Sequence, residues 1–417
     1  AYVVPGEPAP EQAVDILDDV VATCTTRVPR LRDELGYLRD LALGRLGFRD
    51  SGKRAEFAVR FQQTCGPVMA KGVEDTTFYR WYRLVALNEV GGSPEHVAVF
   101  PDEFHAWASR QQATRPSAMT TLSTHDTKRS EDVRARLVTL AEAPSRWREV
   151  VTQWSERAVR YRAAPGWPDP ETEYLLWQTL VGTWPISAER LVPYMLKAVR
   201  EAKRYTTWTD PDGEYEQALT DFTRAVLGDR QLTASVEAFV AETSGWARSA
   251  SVATKLLALT VPGVPDVYQG CELVDLSLVD PDNRRVVDFD DRARRLAALD
   301  SGASPADVSD EKLLVVSRVL RLRREHPDWF GTDATYSPLP TTTTHALGFV
   351  RADQVAVVVS RRPQGLASAG GWRDSQVVLP DGRWRDLLSD ATLQGGSLAV
   401  ADLLTALPVA LLVREAV

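Results

Sequence analysis

One strand-like run followed by a helix-like run constrains the fold of this chain most. Residues Ser117 to Asp126 read Ser-Ala-Met-Thr-Thr-Leu-Ser-Thr-His-Asp, so β-branched and apolar side chains give way to polar ones. This pattern predicts a buried strand that ends in a polar loop. Ser130 to Asp132 is typical of a helix start, and Val133, Leu137 and Leu140 then share one helical face. The segment therefore predicts strand, polar loop and helix, the building unit of an α/β fold.

Helical periodicity dominates the remainder of the first 330 residues. Gly66 to Gly72 is a short apolar run between glycines that is compatible with either a strand or a tight loop. The predicted helical stretches are Glu11 to Arg45 with a break at Pro29, Arg54 to Thr64, Val73 to Val90, about Pro144 to Thr260, and Glu311 to Glu325.

From about Gly331 the hydrophobic pattern changes to short runs with a period of two, which is typical of strands. The chain is therefore expected to end in an antiparallel β-domain. Its predicted strands are Ala346 to Arg351, Gln354 to Arg361, Gln376 to Leu379 and Leu398 to Val400, with a turn at Asp381-Gly382.

Composition excludes several classes of partner. The net charge of −8 and the lack of a run of basic residues argue against nucleic acid. No apolar stretch in the sequence reaches the length of a membrane span, and we expect a cytoplasmic protein. The three cysteines, Cys24, Cys65 and Cys271, have wide spacing and no Cys-x-x-Cys pair, so we expect free thiols.

Lysine is scarce, with seven lysines among 49 basic residues. This scarcity suggests that the remaining lysines, Lys71 and Lys128 among them, occupy places where a compact ammonium group is needed.

His125 and Asp126 are the strongest candidates for chemistry. An imidazole and a carboxylate at the end of a strand, just before a helix, occupy the position where barrel enzymes carry catalytic groups. The alternative is that both residues form only a loop turn or a helix cap.

Several motifs indicate a family. Ser123 to Asp132 (Ser-Thr-His-Asp-Thr-Lys-Arg-Ser-Glu-Asp) resembles the fourth signature region of the α-amylase superfamily, in which a His-Asp pair closes barrel strand seven. The motifs that make the chain similar to one family within it, the maltooligosyltrehalose synthases, are Met69 to Thr76 with Phe78 to Arg80, Asn88 to Gly92, and Val264 to Glu272 continuing through Asp280 to Arg285. The similarity covers most of the chain and implies a C-terminal portion of such an enzyme.

The resemblance implies an α/β fold: the C-terminal part of a (β/α)8 TIM barrel with large helical insertions, followed by an antiparallel β-sandwich domain. The implied division is a helical insertion segment at 1–64, a barrel segment with the His-Asp region at 65–140, a helical insertion subdomain at 141–250, the last barrel strand and helix at 251–330, and the β-sandwich at 331–417.

The resemblance also implies an activity, namely an intramolecular transglycosylation that converts the reducing-end α-1,4 bond of a maltooligosaccharide to an α,α-1,1 bond. By the family pattern, Asp126 stabilises the oxocarbenium-like transition state and His125 binds sugar hydroxyls. No metal or organic cofactor is expected. The family's nucleophile, in a Gly-Phe-Arg-x-Asp motif, and its acid, a Glu, are not found here. Gly47 to Asp50 lacks the intervening residue and follows a helical pattern, so we reject it as that motif.

The isolated chain is therefore expected to be inactive. Its expected partners are the maltooligosaccharide and the missing N-terminal half of the same enzyme.

Further residues are weaker candidates for substrate binding. Lys71, Glu74 and Asp75 are expected either to bind the reducing-end glucose or to be solvated charges. Lys128 is expected either to bond sugar hydroxyls or to neutralise nearby carboxylates. Tyr79 suits stacking on a sugar ring, although aromatic residues on helices more often lie in the core. The remaining candidates, at the end of the implied strand eight, are Tyr268, Gln269 and Arg284.

Two alternatives stay open at this stage. An α-glucan hydrolase or 4-α-glucanotransferase has the same implied fold, and a non-catalytic glucan-binding fragment has the same motifs.

Overall fold

The computed structural model describes residues 2–46, 51–164 and 166–415. The chain forms two compact units, Ala1–Phe78 and Tyr79–Val417. It combines α-helices with a six-stranded antiparallel sheet, so the predicted mixture of helix and sheet is confirmed. Within the described residues, none of the helices has both the length and the hydrophobicity needed to cross a membrane.

The first unit is helical. Its helices are α1 (Glu11–Arg27), α2 (Arg32–Ala42) and α3 (Ser51–Met69), and a π-helical turn, Ala70–Glu74, follows. The predicted break at Pro29 is confirmed, because a 3-10 turn separates α1 from α2 there. Gly66 to Gly72 is neither a strand nor a loop, because it completes α3 and enters the π-helical turn. The rejected Gly47 to Asp50 motif lies outside the described residues.

The predicted helix from Val73 to Val90 is wrong. Of this stretch, the helical parts are the end of the π-helical turn at Val73 and Glu74 and two single 3-10 turns, Thr77–Tyr79 and Val85–Leu87. The side chain of Gln178 explains the difference, since its Oε1 accepts from the Val85 N–H at 2.9 Å and its Nε2 donates to the Tyr82 carbonyl at 2.7 Å. A distant side chain thus satisfies backbone groups that a helix would have paired internally.

Two short parallel strands carry the candidate site. Helix α4 (Pro101–Thr114) precedes β1 (Met119–Thr121), which pairs with β2 (Val264–Asp266) so that Thr121 lies opposite Asp266. The predicted strand is therefore present, but it is short and it is not buried. Within the described residues β1 pairs with one neighbouring strand, β2, and Met119 is 73% exposed. A loop then leads into α5 (Glu131–Val138), which confirms the predicted order of strand, polar loop and helix.

The long helical prediction is confirmed by five helices. They are α6 (Pro144–Ala158), α7 (Pro170–Thr183), α8 (Ala188–Ala202), α9 (Gly213–Gly228) and α10 (Arg230–Thr260). Trp154 lies at the centre of their core, with ring centroids 5.6 to 5.9 Å from those of Trp147, Trp177 and Phe239. These aromatic rings stabilise the helical region by burial and mutual packing.

Two helices and a sheet complete the chain. Helix α11 (Phe289–Asp300) was not predicted, whereas α12 (Val308–Glu325) contains the predicted helix. The sheet has the order β3-β4-β5-β8-β6-β7 with every pairing antiparallel. The strands are β3 (Tyr336–Pro338), β4 (Ala346–Arg351), β5 (Val355–Ser360), β6 (Gln376–Asp386), β7 (Thr392–Ala399) and β8 (Val409–Arg414). Two short helices, α13 (Pro363–Ser368) and α14 (Val400–Leu403), lie between them in the sequence.

The antiparallel β-region at the end of the chain is therefore confirmed, as are the strands β4 and β5. The turn predicted at Asp381-Gly382 is wrong. Strand β6 continues through it with a shift of register between Leu379 and Arg383, and Gly382 adopts a φ of +127° there. Glycine adopts this backbone region without the steric cost that a Cβ would add.

Candidate active site

The loop between β1 and α5 carries Asp126, which is predicted to be catalytic, and His125, which is predicted to bind the substrate. His125 and Asp126 are both exposed. A local turn orders the loop, because the Asp126 N–H donates to Thr124 Oγ1 at 3.1 Å and the Thr127 hydroxyl donates to the Thr124 carbonyl at 2.9 Å. Ser130 is the N-cap residue of α5. Asp126 is therefore not a helix cap, but His125 and Asp126 do lie in a loop turn, the other part of the alternative. The Asp126 carboxylate is accessible on this turn.

Glu89, which sequence reasoning did not select, bonds the segment that follows Asp126. Its Oε1 accepts from the N–H groups of Lys128 at 2.7 Å and of Val90 at 2.8 Å, and its Oε2 accepts from the Arg129 N–H at 3.2 Å. The residue is 8% exposed. The Asn-Glu-Val-Gly-Gly motif was the available signal, but sequence alone did not connect it to the loop.

Segment 275–284 contacts the same loop from a different part of the chain. Asn283 Nδ2 donates to the His125 carbonyl at 2.9 Å. The Ser130 N–H donates to the Ser277 carbonyl at 3.0 Å. The structure therefore brings together two segments that the motifs had indicated separately.

Three predicted substrate-binding residues follow β2. Tyr268 is half-buried, whereas Gln269 and Arg284 are exposed. Arg284 adjoins Asn283 in sequence, and its Nη2 lies 3.5 Å from Asp280 Oδ2. Because parallel strands present their carboxyl ends at the same edge, the residues after β2 and those after β1 emerge on the same side of the pair. Their contacts with a sugar stay a prediction.

A buried charge cluster lies at the first turn of α5. It consists of the carboxylates of Glu131 and Asp132 and the ammonium groups of Lys255 on α10 and Lys312 on α12. Lys255 Nζ lies 2.5 Å from Glu131 Oε1, and Lys312 Nζ lies 2.8 Å from Glu131 Oε1 and 2.5 Å from Asp132 Oδ2. No member is more than 7% exposed. Two charges of each sign offset the cost of removing these groups from water.

The members of the charge cluster shift one another's pKa values. Burial alone would raise the pKa of Glu131, but the ammonium groups of Lys312 and Lys255 hold that pKa below its ordinary value. Burial would lower the pKa of Lys312, yet Asp132 and Glu131 raise it above its ordinary value. Burial raises the pKa of the adjacent Asp275, whose N–H donates to Asp132 Oδ2 at 2.8 Å. The charge cluster thereby joins α5, α10 and α12 directly after the His-Asp loop.

Lys128 and Tyr79 are each 3% exposed, and Lys128 Nζ lies 6.0 Å from the centroid of the Tyr79 ring. Tyr79 belongs to the apolar core that also contains Tyr82 and Val85. The ammonium groups that pair with the carboxylates of α5 are those of Lys255 and Lys312. Substrate contact by Lys128 and Tyr79 stays a prediction.

Lys71, Glu74 and Asp75 belong to the first unit. They lie at the π-helical turn and its end, where Lys71 Nζ is 2.5 Å from Asp75 Oδ2 and Lys71 is exposed. A role in binding glucose stays a prediction for all three.

The cysteines and the possible metal ligands lie as follows. The three cysteines are free, and burial raises the pKa of the Cys271 thiol. In the part of the chain that the structure describes, no group of three or more His, Cys, Asp or Glu side chains is arranged to hold a metal ion.

Comparisons with known proteins address the family. No family model matches the chain. A Mycobacterium tuberculosis protein named as a maltooligosyl trehalose synthase is 44% identical over 370 residues, which are 86% of this chain and 46% of that protein. The structure of maltooligosyltrehalose synthase from Arthrobacter ramosus superposes with a TM-score of 0.87 at 42% identity, covering 96% of this chain and 51% of that one. A Sulfolobus tokodaii protein described as a hypothetical maltooligosyl trehalose synthase superposes with a TM-score of 0.72 at 28% identity, covering 97% of this chain and 57% of that one.

The resemblance inferred from the motifs is therefore confirmed. The chain corresponds to a C-terminal portion of maltooligosyltrehalose synthase and spans about half the length of the curated relatives it matches.

Proposed function

We propose, on the premise of this correspondence, that the chain carries part of the active site of an enzyme that rearranges α-glucans. The proposed reaction converts the reducing-end α-1,4 bond of a maltooligosaccharide to an α,α-1,1 bond and yields maltooligosyltrehalose. The observation that carries the proposal is the exposed Asp126 carboxylate, on an ordered loop beyond the carboxyl end of β1 and beside segment 275–284.

The fold proposal is a (β/α)8 barrel to which this chain contributes its last strands. On this proposal β1 is strand seven and β2 is strand eight, since they are parallel neighbours and a helix follows each of them. In such barrels a parallel sheet is buried on both faces. Met119 would then be buried in the complete barrel, which would explain why an apolar side chain occupies a position that is exposed in this chain. The antiparallel sheet from β3 to β8 would be the C-terminal sandwich domain.

The proposed chemistry uses three carboxylates. Retaining glycoside chemistry uses a nucleophile and an acid about 5 Å apart on opposite sides of the scissile bond. We assign both to a portion of the enzyme outside this chain, and we assign to Asp126 the stabilisation of positive charge at the anomeric carbon. His125 would bind sugar hydroxyls. The isolated chain would then bind glucan without turning it over.

In the proposed cycle, the anomeric carbon loses its bond to O4 of the terminal glucose and gains a bond to the nucleophile. The acid gives its proton to O4. The freed glucose turns, and its anomeric hydroxyl attacks the anomeric carbon of the intermediate while the same acid group, now a base, takes the proton. The bond from that carbon to the nucleophile breaks, and the nucleophile leaves as a carboxylate. Water competes with the glucose at this stage and must be excluded.

The proposed contacts of the substrate follow the family pattern. Tyr268, Gln269 and Arg284 would line the sugar pocket at the end of β2, and Lys128 would bond a hydroxyl. Tyr79 would contribute an aromatic surface. The reducing-end glucose would be bound by Lys71, Glu74 and Asp75.

The test joins this chain to the complementary N-terminal portion of the Arthrobacter ramosus enzyme and supplies maltopentaose. We expect reducing ends to disappear without release of glucose. Asp126→Asn should lower kcat by at least about 100-fold, the scale of losing one electrostatic stabiliser of a transition state. The exposed Asp374→Asn is the matched control and should leave kcat unchanged.

Each other product pattern contradicts the proposal. Release of glucose and maltose would indicate a hydrolase, and longer oligosaccharides would indicate a 4-α-glucanotransferase. Glucan binding in calorimetry by a hybrid that yields no product would indicate a binding fragment. Full activity of Asp126→Asn would remove Asp126 from the mechanism.

A further inference from the structure

We infer that Glu89 is a positioning residue, whose buried carboxylate holds the loop that carries His125 and Asp126 in its reactive position. The inference rests on the proposed function, and it adds a residue for which neither motif nor comparison supplies a role.

The hydrogen bonds of Glu89 are the first observation. One carboxylate accepts from three backbone N–H groups, those of Val90, Lys128 and Arg129, at distances from 2.7 to 3.2 Å. Lys128 and Arg129 are 3% and 2% exposed, so their peptide groups lie in a buried part of the chain. Buried N–H groups need an acceptor, and bonds to an ionised acceptor are about twice as strong as neutral ones. Glu89 therefore supplies the hydrogen-bond acceptor for two N–H groups that lie outside the helices and strands.

The shape of the 89–92 turn is the second observation. The Gly92 N–H donates to the Glu89 carbonyl at 2.7 Å, and a Cβ on Gly92 would lie 2.8 Å from that same oxygen. Gly91 has a φ of +72°. Both glycines of the motif thus permit a tight turn directly after Glu89, which fixes the start of the side chain that reaches the loop.

Charge complementarity is the third observation. Arg134 Nε lies 3.9 Å from Glu89 Oε2. Arg129 is bonded further along its side chain, since its Nη1 donates to the Val85 carbonyl at 3.2 Å and its Nη2 donates to the Tyr194 hydroxyl at 2.8 Å. Arg129, one of the residues that Glu89 bonds, is therefore itself joined to the core.

The residues that Glu89 bonds lie close to Asp126 in the sequence. Only Thr127 separates Asp126 from Lys128. On the other side, Asn283 bonds the His125 carbonyl. With both flanks held, the Asp126 backbone has little freedom, and a catalytic group gains from being held within about 0.5 Å of its productive position.

The first experiment measures the contact itself in the full chain. Labelling with [15N]lysine gives at most seven amide signals, because the chain has seven lysines. Lys128→Arg identifies the signal of Lys128. We expect Glu89→Gln to shift that signal and to speed its hydrogen exchange by at least about tenfold, since the amide side chain places a donor against backbone donors. Glu95→Gln, the same change at an exposed glutamate nearby, should leave the signal unchanged.

The second experiment measures the consequence in the hybrid enzyme with maltopentaose. Glu89→Gln should lower kcat by about 10- to 100-fold, the range expected for a misplaced catalytic group, while KM changes by less than about twofold. The thermal midpoint is recorded in parallel, because a purely structural role would change the midpoint without separating kcat from KM. If Glu89→Gln does not fold, Glu89→Asp, whose side chain is one methylene shorter, carries both measurements.

The outcomes separate the two proposals. An unchanged Lys128 signal overturns the inference, as does a changed signal with an unchanged kcat. Retention of kcat by Asp126→Asn overturns the proposed function instead, and the amide measurement does not depend on that result. A changed signal together with a lower kcat supports the positioning role.

Discussion

Replacing Lys312 by methionine should destabilise the second unit strongly. Lys312 is fully buried and pairs with both Glu131 and Asp132. The methionine side chain has a similar volume but no charge, so Glu131 would keep one lysine partner, Lys255, and Asp132 would lose the ammonium group beside it. Removing one partner of a buried ion pair costs about 3–5 kcal/mol, because a charge is left uncompensated away from water.

The expected change in melting temperature follows from size. Unfolding entropy is roughly 2 cal/mol/K per residue, so a unit of about 340 residues has about 0.7 kcal/mol/K, and the midpoint should fall by about 4–7 °C. Differential scanning calorimetry measures this value. Arg321→Met is the matched control, because Arg321 lies on the same helix and pairs with Asp300 at 2.5 Å, with the two side chains 34% and 39% exposed to water. An exposed pair contributes only about 0–1 kcal/mol.

The dependence on pH gives a second check. In the native protein the pKa of Glu131 is below its ordinary value, so its pairing stabilises the fold above the unfolded pKa and is lost as the pH falls through the folded pKa. In Lys312→Met a carboxylate can escape its penalty by taking a proton. The deficit should therefore be largest near neutral pH and should shrink as the pH falls towards about 4, the ordinary carboxyl pKa. Equal midpoint losses for Lys312→Met and Arg321→Met, or a deficit that grows on acidification, would refute this reasoning.

Two further predictions concern the helical region. Asp229→Asn should lower stability by about 1–2 kcal/mol at pH 7 through loss of the charged pair with Arg157, while the Asn side-chain oxygen can keep the cap of α10. Since that pair holds the Asp229 pKa well below its ordinary value, the loss should diminish in urea unfolding at pH 3, and an equal loss at both pH values would contradict this prediction. Trp154→Ala should cost about 3–5 kcal/mol in the same assay, because the ring is 1% exposed among other aromatic rings, while a loss below about 1 kcal/mol would show that this packing was misjudged.

The sequence predicted the elements that depend on local pattern. The helices between Pro144 and Thr260 are long and periodic, and their prediction is confirmed. The helix predicted from Val73 to Val90 is wrong because Gln178, far along the chain, pairs its backbone groups. Strand β8 was missed because its run Val-Ala-Leu-Leu-Val is continuously apolar and, unlike the valine-rich β5, contains Leu, so periodicity alone does not separate it from a buried helical segment.

The candidate site was predictable only in part. His125 and Asp126 adjoin each other and follow a strand, so one short motif indicated both. Glu89, Lys255 and Lys312 come from other segments, and the contact between Lys312 and Asp132 spans 180 residues. The scarcity of lysine drew attention to Lys71 and Lys128, whose role in substrate binding stays a prediction. It did not single out Lys255 and Lys312, because sequence alone does not tell which lysine meets a buried carboxylate.

Helix α10 sets the spacing between two parts of the second unit. It begins at the cap provided by Asp229, carries Lys255 into the charge cluster, and ends four residues before β2. At about 100° of rotation and 1.5 Å of rise per residue, a single inserted residue upstream of Lys255 would turn either that ammonium group or the helix's packing face away from its partner. Evolutionary changes in the length of this helix should therefore come in steps of about seven residues, which preserve the phase of two whole turns.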